Sequence, residues 1–228
     1  MKDIAIYGAG GFGREVACLI QRINEELAEE SVKKHHLMPS EPWNLIGFFD
    51  DNPELKGKQV SHFGSCFGGI DELNKYSKSL AVILAVGNPH VVRNIVKKIS
   101  NPKIEYPNLI DTSFYVVDAE TFQIGHGNII QGPSSVSCDV TIGNFNVLNG
   151  SVVLGHDVKI GSFNSIMPDT RISGEVTIGE GNFFGVGSIV LQQMKIGNNV
   201  KLAAGSVMMT KPRDGNLYMG VPARKMDL

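Results

Sequence analysis

The sequence predicts an α/β unit in its N-terminal half and an all-β stack of short coils in its C-terminal half. A G-x-G-x-x-G motif at residues 8–13 lies between an apolar run and an amphipathic one. An apolar residue recurs every six residues over residues 124–202, and a glycine recurs every 18 residues over residues 125–197. We place the boundary between the two parts near residue 110, which gives domains of residues 1–110 and 111–228.

Composition limits the classes of protein to which the chain can belong. Its 228 residues include 21 Lys and Arg against 23 Asp and Glu, which argues against nucleic acid and anionic membranes as partners. Because no apolar run approaches the ~18 residues of a spanning helix, we expect no membrane insertion. The three cysteines lack metal-ligand spacing, so we expect no metal site and a reducing, cytoplasmic setting.

The N-terminal half is typical of a Rossmann-like half-domain that binds a nucleotide-linked small molecule. Strands are expected at residues 4–7, 45–49 and 80–86, and a helix begins within the glycine-rich loop. Ligands bind at the carboxyl ends of such strands, and a helix N-terminus holds phosphate well. The expected substrate-binding residues are therefore Gly8, Gly10, Gly11, Phe12, Gly13, Asp50, Asp51 and Asn88.

The segment between the first two strands is longer than a dinucleotide site usually has. Gly13 and Asp50 lie 37 residues apart, against about 20 in the usual motif. We interpret the polar stretch at residues 24–44 as a helix extension plus a loop, and the sequence leaves open whether it forms a lid. We expect its His35 and His36 to be solvated.

The C-terminal periods predict a prism with three faces. All fourteen positions spaced by six over residues 124–202 are Ile, Leu, Val or Phe, as expected for inward side chains. Three sixes make one coil of 18, so each inward residue stacks on its counterpart one coil away. We expect the recurring glycines, and the asparagines at the same spacing, to turn the corners with positive φ.

The coil sequences resemble the hexapeptide repeat of left-handed parallel β-helix acyltransferases, as at residues 142–147 and 178–183. The two halves together resemble the sialic acid O-acetyltransferase and nucleotide-aminosugar N-acetyltransferase family, which includes bacillosamine- and perosamine-pathway enzymes. This resemblance covers nearly the whole chain. It is carried by the motifs GAGGFGREV at residues 8–16, FDD at 49–51, VGN at 86–88, GHDVKIG at 155–161 and GVPAR at 220–224.

The family resemblance implies acetyl transfer from acetyl-CoA to an amino or hydroxyl group of a nucleotide-activated sugar, for glycan synthesis. It implies that His156 is the general base, that Asp157 orients it, and that the site faces a groove between subunits of a homotrimer. Direct transfer needs no acyl-enzyme, so Cys138 is a poor nucleophile candidate. The implied acetyl-CoA contacts are Ser165, Gly174, Val186, Ala204 and Gly205.

Because the sequence departs from the family pattern at two positions, other functions stay open. Many relatives have histidine at the positions of Phe12 and Ser165, so acceptor recognition differs here or is absent. One alternative is the same fold with another acceptor, such as sialic acid or another amine, or with another acyl chain. The other alternative is a catalytically silent trimeric binding protein. The sequence does not identify the sugar, its nucleotide, or whether transfer is to nitrogen or oxygen.

Overall fold

The computed structural model describes residues 1–29, 37 and 39–227, which form two compact units. One unit comprises Met1–Gly87 and Val91–Thr112, and the other comprises Asn88–His90 and Ser113–Leu228. None of the described helices combines the length and the apolar character needed to cross a bilayer.

The first unit is built on a four-stranded parallel sheet. Its elements are β1 (Lys2–Tyr7), α1 (Gly11–Ala28), β2 (Trp43–Phe49), a 3-10 turn (Pro53–Leu55), α2 (Ile70–Asn74), β3 (Leu80–Leu84), α3 (Pro89–Lys98), β4 (Ile104–Glu105) and β5 (Leu109–Ile110). The strand order is β2-β1-β3-β4, with every pair parallel. Every residue of β3 is buried, as expected for a strand covered on both faces.

Helix α1 follows the glycine-rich loop and packs its predicted apolar stripe into the core. Val16, Leu19, Ile20 and Ile23 are at most 1% exposed. The helix continues to Ala28, which confirms that the polar stretch begins as a helix extension.

The side chain of Asn24 joins α1 to the start of β2. Its Oδ1 accepts from the backbone N–H of Trp43 and its Nδ2 donates to the Trp43 carbonyl, both at 2.8 Å. These two bonds hold together the ends of the polar stretch. His35 and His36 lie outside the described residues.

The second unit is a parallel β-helix in which each face of a coil is a two-residue strand. Face 1 contains β7 (Gln123–Ile124), β10 (Thr141–Ile142), β13 (Lys159–Ile160), β16 (Thr177–Ile178) and β19 (Lys195–Ile196). Face 2 contains β8 (Ile129–Ile130), β11 (Val147–Leu148), β14 (Ser165–Ile166), β17 (Phe183–Phe184), β20 (Lys201–Leu202), β22 (Leu217–Met219) and β23 (Arg224–Met226). Face 3 contains β6 (Tyr115–Val116), β9 (Ser135–Val136), β12 (Val153–Leu154), β15 (Arg171–Ile172), β18 (Ile189–Val190) and β21 (Val207–Met208).

The coils stack in the predicted register of 18 residues. Ile142, for example, pairs with Ile124 in one neighbouring coil and Ile160 in the other. The predicted inward positions are buried, apart from Ile124, which is half-buried. The series extends one step further than predicted, to the fully buried Met208. At the C-terminal end, β22 is parallel to β20, whereas β23 pairs with β22 antiparallel.

The recurring glycines and asparagines have a different role from the one predicted. The glycines that follow face 1 do not have positive φ. They are required by close approach, since a Cβ on Gly143 would lie 2.6 Å from the carbonyl oxygen of Gly161 in the next coil. Positive φ instead occurs two residues later, as at Phe145 and Phe163, with φ of 54° and 59°.

The asparagines form a buried ladder along the corner between face 1 and face 2. Asn128, Asn146, Asn164 and Asn182 are at most 1% exposed. The Nδ2 of Asn164 donates to Oδ1 of Asn146 and to the carbonyl of Gly179, both at 3.0 Å. The backbone N–H of Asn164 also donates to that Oδ1, at 2.9 Å. The ladder therefore satisfies polar groups that the corner would otherwise bury unpaired.

Candidate active site

His156 and Asp157 lie at the corner where face 3 turns into face 1, between β12 and β13. The chain turns there because Asp157 adopts a left-handed conformation with φ of 59°. The backbone N–H of Asp157 donates to the Cys138 carbonyl of the preceding coil at 3.0 Å. The His156 carbonyl accepts from Glu175 N–H of the following coil at 2.8 Å. The corner is therefore fixed on both sides by the repeat itself.

The two side chains form an exposed hydrogen-bonded pair. The distance from Nδ1 of His156 to Oδ2 of Asp157 is 2.8 Å, and the side chains are 54% and 55% exposed. Because a carboxylate only accepts, it fixes the proton of a neutral imidazole on Nδ1 and leaves the Nε2 lone pair free. The bond to Asp157 raises the pKa of His156, opposed by partial loss of hydration and aided by Glu175. An oriented imidazole of this kind can accept a proton at Nε2.

Gly174 provides the space that the imidazole ring occupies. A Cβ on Gly174 would lie 2.5 Å from Nε2 of His156 and 2.7 Å from Cε1. The ring therefore packs against the coil that follows its own. The sequence associated Gly174 with acetyl-CoA, and the structure places it in contact with the candidate base.

Val186, Ala204 and Gly205 lie together at the corner between face 2 and face 3. The N–H of Gly205 donates to the Val186 carbonyl at 2.8 Å. Val186 is 50% exposed, and a Cβ on Gly205 would meet no atom within 4 Å. The backbone is thus accessible here to a thin ligand. Ser165 is not part of this group, since it lies on face 2 and is only 2% exposed.

The glycine-rich loop of the first unit contains two structural glycines and two open ones. A Cβ on Gly8 would lie 2.6 Å from the Ala85 carbonyl oxygen, and one on Gly13 would lie 1.9 Å from that of Gly8. These two residues allow strand and helix to pack closely. A Cβ on Gly10 would meet nothing within 4 Å, and one on Gly11 only the end of an arginine side chain. Phe12 is half-buried beside them.

Asp50 and Asp51 follow β2 and bond to the loops around them. Asp50 accepts from the N–H of Ala9 at 2.8 Å and of Asn52 at 2.9 Å. Oδ1 of Asp51 accepts from the Tyr7 hydroxyl at 2.6 Å and the Ile70 N–H at 3.1 Å. Burial, and then the bond to Asp51, raise the pKa of Tyr7 far above its usual range.

A cavity of about 290 Å³ adjoins these carboxylates, lined by Asp50, Asp51, Lys56 and the segment at residues 68–72. Within the described part of the chain, Oδ2 of Asp51 makes no hydrogen bond, so it is the carboxylate oxygen available to a ligand. Sequence reasoning missed Tyr7, although its position directly before the glycine-rich loop was a usable signal.

The other predicted polar residues have simpler surroundings. Oδ1 of Asn88 accepts from the His90 N–H at 3.0 Å, at the start of α3. His126 lies at the corner between face 1 and face 2, where its ring contacts Phe145 edge-on at 5.1 Å. Over the described residues, no cluster of three His, Cys, Asp or Glu side chains is placed to hold a metal ion.

Comparison with known families identifies the first unit. Residues 3–99 match the PglD N-terminal domain family. No curated protein matched the sequence.

Several solved structures are similar to the chain over almost its whole length. The acetyltransferase domain of PglB from Neisseria gonorrhoeae, in complex with acetyl coenzyme A, is 25% identical with a TM-score of 0.82, over 99% of each chain. PerB from Caulobacter crescentus, in complex with CoA and GDP-perosamine, is 22% identical with a TM-score of 0.79, over 100% of this chain and 98% of that one. WeeI from Acinetobacter baumannii is 22% identical with a TM-score of 0.80, over 99% and 100%.

These similarities confirm two of the sequence predictions. The fold class is confirmed: a Rossmann-like half-domain precedes a left-handed parallel β-helix of hexapeptide repeats. The resemblance to the nucleotide-aminosugar acetyltransferase family is also confirmed.

Proposed function

We propose that the chain transfers an acetyl group from acetyl-CoA to an amino or hydroxyl group of a nucleotide-activated sugar. The enzyme class in this proposal, an acetyl-CoA-dependent acetyltransferase, agrees with the PglB domain and with PerB, which is bound to CoA and GDP-perosamine. The observation that carries the proposal is the His156–Asp157 pair, held at 2.8 Å above Gly174 on an exposed corner. Such a pair is suited to removing a proton from an attacking nucleophile.

The proposed chemistry uses His156 as the base. Acetyl-CoA supplies an acyl group activated as a thioester. Nε2 of His156 takes the proton of the acceptor as its nitrogen or oxygen bonds to the acyl carbon and the carbon–sulfur bond breaks. Asp157 keeps the proton of the neutral ring on Nδ1 and stabilises the imidazolium that forms, and the sulfur leaves as the thiol after gaining a proton.

The residues at the corner between face 2 and face 3 fit a long, thin co-substrate. Gly187 and Gly205 have open space where a side chain would stand. Gly185 has no such space, since a Cβ added there would lie 2.5 Å from the backbone nitrogen of Ala204. We therefore propose Val186, Ala204 and Gly205 as acetyl-CoA contacts, with Gly174 next to the reacting group. The burial of Ser165 within one chain makes it the weakest member of this set.

The N-terminal domain is proposed to bind the nucleotide sugar. Gly10 and Gly11 expose backbone at the N-terminus of α1, where phosphate is favoured. Oδ2 of Asp51 and the side chain of Asn88 are the proposed polar contacts. Gly8, Gly13 and Asp50 act indirectly, because their packing and hydrogen bonds shape the loop. Phe12 offers a ring for packing against the sugar or base.

A homotrimer is proposed because the outer side of face 3 of the β-helix is mostly apolar. Its outward residues are Tyr115, Ser135, Val153, Arg171, Ile189 and Val207, and Leu191 and Met209 at its edge are 38% and 42% exposed. Monomers rarely leave such a patch uncovered. The outward residues of face 1 are instead polar: Gln123, Thr141, Lys159, Thr177 and Lys195.

The three cysteines are free, which agrees with the cytoplasm as the proposed setting.

The proposal is tested by thiol release from acetyl-CoA with UDP-, GDP-, dTDP- and CMP-linked amino sugars as acceptors. We expect release with one nucleotide series and a loss of about 100-fold or more in His156→Ala. His126→Ala is the matched control, since His126 is also an exposed corner histidine, and it should retain activity. Turnover of His156→Ala within about threefold of the wild type would contradict the assignment of the base. Absence of acetyl-CoA binding would favour a silent binding protein.

A further inference from the structure

Three acidic side chains and one glutamine are stacked in successive coils beside the candidate base. The corner position after His156 is occupied in four successive coils by Asp139, Asp157, Glu175 and Gln193. All four adopt left-handed backbone, with φ of 56°, 59°, 59° and 62°. Neighbouring coils lie one strand spacing apart, about 4.8 Å. His156 therefore has a carboxylate in its own coil and one in each neighbouring coil.

The imidazole is not centred between these neighbours. Its Nε2 lies over Gly174, where a Cβ would be only 2.5 Å away, so the ring leans toward the coil of Glu175 and away from that of Asp139. The backbone N–H of Glu175 donates to the His156 carbonyl at 2.8 Å. The Glu175 carboxylate accepts from Nε2 of Gln193 at 3.2 and 3.3 Å. Gln193 thus restrains the carboxylate on the side of the stack that the ring faces.

We infer that Glu175, held by Gln193, is a positioning residue that acts with Asp157 to stabilise the protonated form of His156. This inference rests on the proposed function, in which His156 receives a proton. Two carboxylates beside one imidazole favour its cationic form by Coulomb attraction. Because both side chains are exposed, water and salt weaken the effect without abolishing it.

The other charged and titratable groups around His156 do not replace Glu175. The preceding coil contributes Cys138 and Asp139, on the side from which the ring leans away. The nearest cations on the adjoining strands are Lys159 and Arg171, which are exposed on the outer surface. The bond to Asp157 acts first to raise the pKa of His156, and the charge of Glu175 acts in the same direction.

The first test is an NMR titration of the His156 ring in the full chain without substrates, with the signal assigned by its loss in His156→Ala. Glu175→Gln should lower the pKa of His156, because it removes one of the two carboxylate charges beside the ring. Gln193 already adopts the same corner conformation, so glutamine is compatible with folding at position 175. Asp139→Asn is the matched control, because it removes one charge from the equivalent position on the other side, and it should leave the pKa unchanged.

Three outcomes would overturn the inference. They are an unchanged pKa in Glu175→Gln, an equal change in Asp139→Asn, and a pKa difference that is not reduced in about 1 M salt, where a Coulomb effect is screened. The acid limb of the kcat/KM profile should move to lower pH in Glu175→Gln by the same amount as the ring pKa. A shifted pKa in a chain that transfers no acetyl group would contradict the proposed function and leave the electrostatic role of Glu175 supported.

Discussion

The orientation of the His156 ring depends on the absence of a side chain at position 174. With a hydrogen at that position, the ring packs over the backbone and presents Nε2 at the corner. A methyl group there would overlap the ring, which would have to rotate and strain its bond to Asp157. Displacement of a catalytic group by about 1 Å is enough to reduce rates substantially.

Gly174→Ala is therefore expected to lower kcat/KM by about 100-fold while the chain remains folded. Steady-state thiol release and a thermal melt measure the two effects separately. Since the φ of Gly174 is not in the left-handed region, the backbone itself tolerates alanine. Activity near that of the wild type would mean that the ring does not work in the orientation described.

Asp157 raises the pKa of His156, and this gives the pH dependence its sign. A general base acts in its neutral form, so activity should fall as the pH drops through that raised pKa. Asp157→Asn should move the acid limb of kcat/KM to lower pH and reduce the plateau on the order of tenfold or more. A profile of kcat/KM from about pH 5 to 9 checks this, and an unmoved acid limb would show that another group controls it.

The asparagine ladder shows how an element made of two-residue strands stays ordered. Each strand supplies few hydrogen bonds, and the corners contribute the remaining ones. Oδ1 of Asn164 accepts from the backbone N–H and from Nδ2 of Asn182, both at 2.9 Å. The ladder therefore couples four successive coils, from Asn128 to Asn182, through buried side chains as well as through strand pairing.

Asn164→Ala is expected to lower the free energy of unfolding by about 3 kcal/mol, because it leaves buried partners unpaired in two neighbouring coils. Urea unfolding at matched protein concentration measures the change. Asn149→Ala is the control, since Asn149 is a half-buried corner residue whose side chain makes no hydrogen bond to the described residues. We expect a change below about 1 kcal/mol for that control.

The strand register and the inward residues could be predicted because the six-residue repeat of apolar residues can be read directly from the sequence. The reason for the glycines could not, because it lies in a contact between residues 18 apart. A glycine at a corner can be required either by a positive φ or by the close approach of the next coil. The sequence pattern is the same in both cases. The orientation of the His156 ring toward Glu175 also could not be predicted from the sequence, because it depends on the positions of the neighbouring coils.

At the scale of the whole molecule, the proposed trimer predicts that a second cation on face 3, beside Arg171, should weaken the association of the chains. Ile189→Lys, at an outward position of β18, should reduce the mass in solution from three chains to one and reduce thiol release by about tenfold or more. Light scattering with size-exclusion chromatography gives the mass. Thr177→Lys on the polar face 1 should change neither property. A trimeric Ile189→Lys variant would move the proposed interface to another face.

The two units differ in how much of their part of the candidate site the sequence predicts. In the β-helix, the repeat predicts which positions are corners, but the roles of His156 and of the acetyl-CoA contacts come from the family resemblance and stay predictions. The repeat also did not predict that Ser165 is only 2% exposed. In the N-terminal domain, the sequence marked Asp50 and Asp51 equally, and the structure distinguishes them. Asp50 bonds to Ala9 and Asn52, whereas Asp51 retains an oxygen open to a ligand. That distinction comes from loop geometry, which single-residue patterns do not encode.

The reversed strand β23 has a consequence for the behaviour of the protein at high concentration. A stack of parallel coils has at its last coil the same open row of N–H and C=O groups as a growing fibril end. On face 2 that row is occupied by β22, and β23 then runs in the opposite direction. A coil from another chain would meet a strand of the wrong polarity and could not continue the parallel register. The hairpin thus blocks continuation of the parallel register on face 2, and its removal is expected to promote end-to-end association of chains.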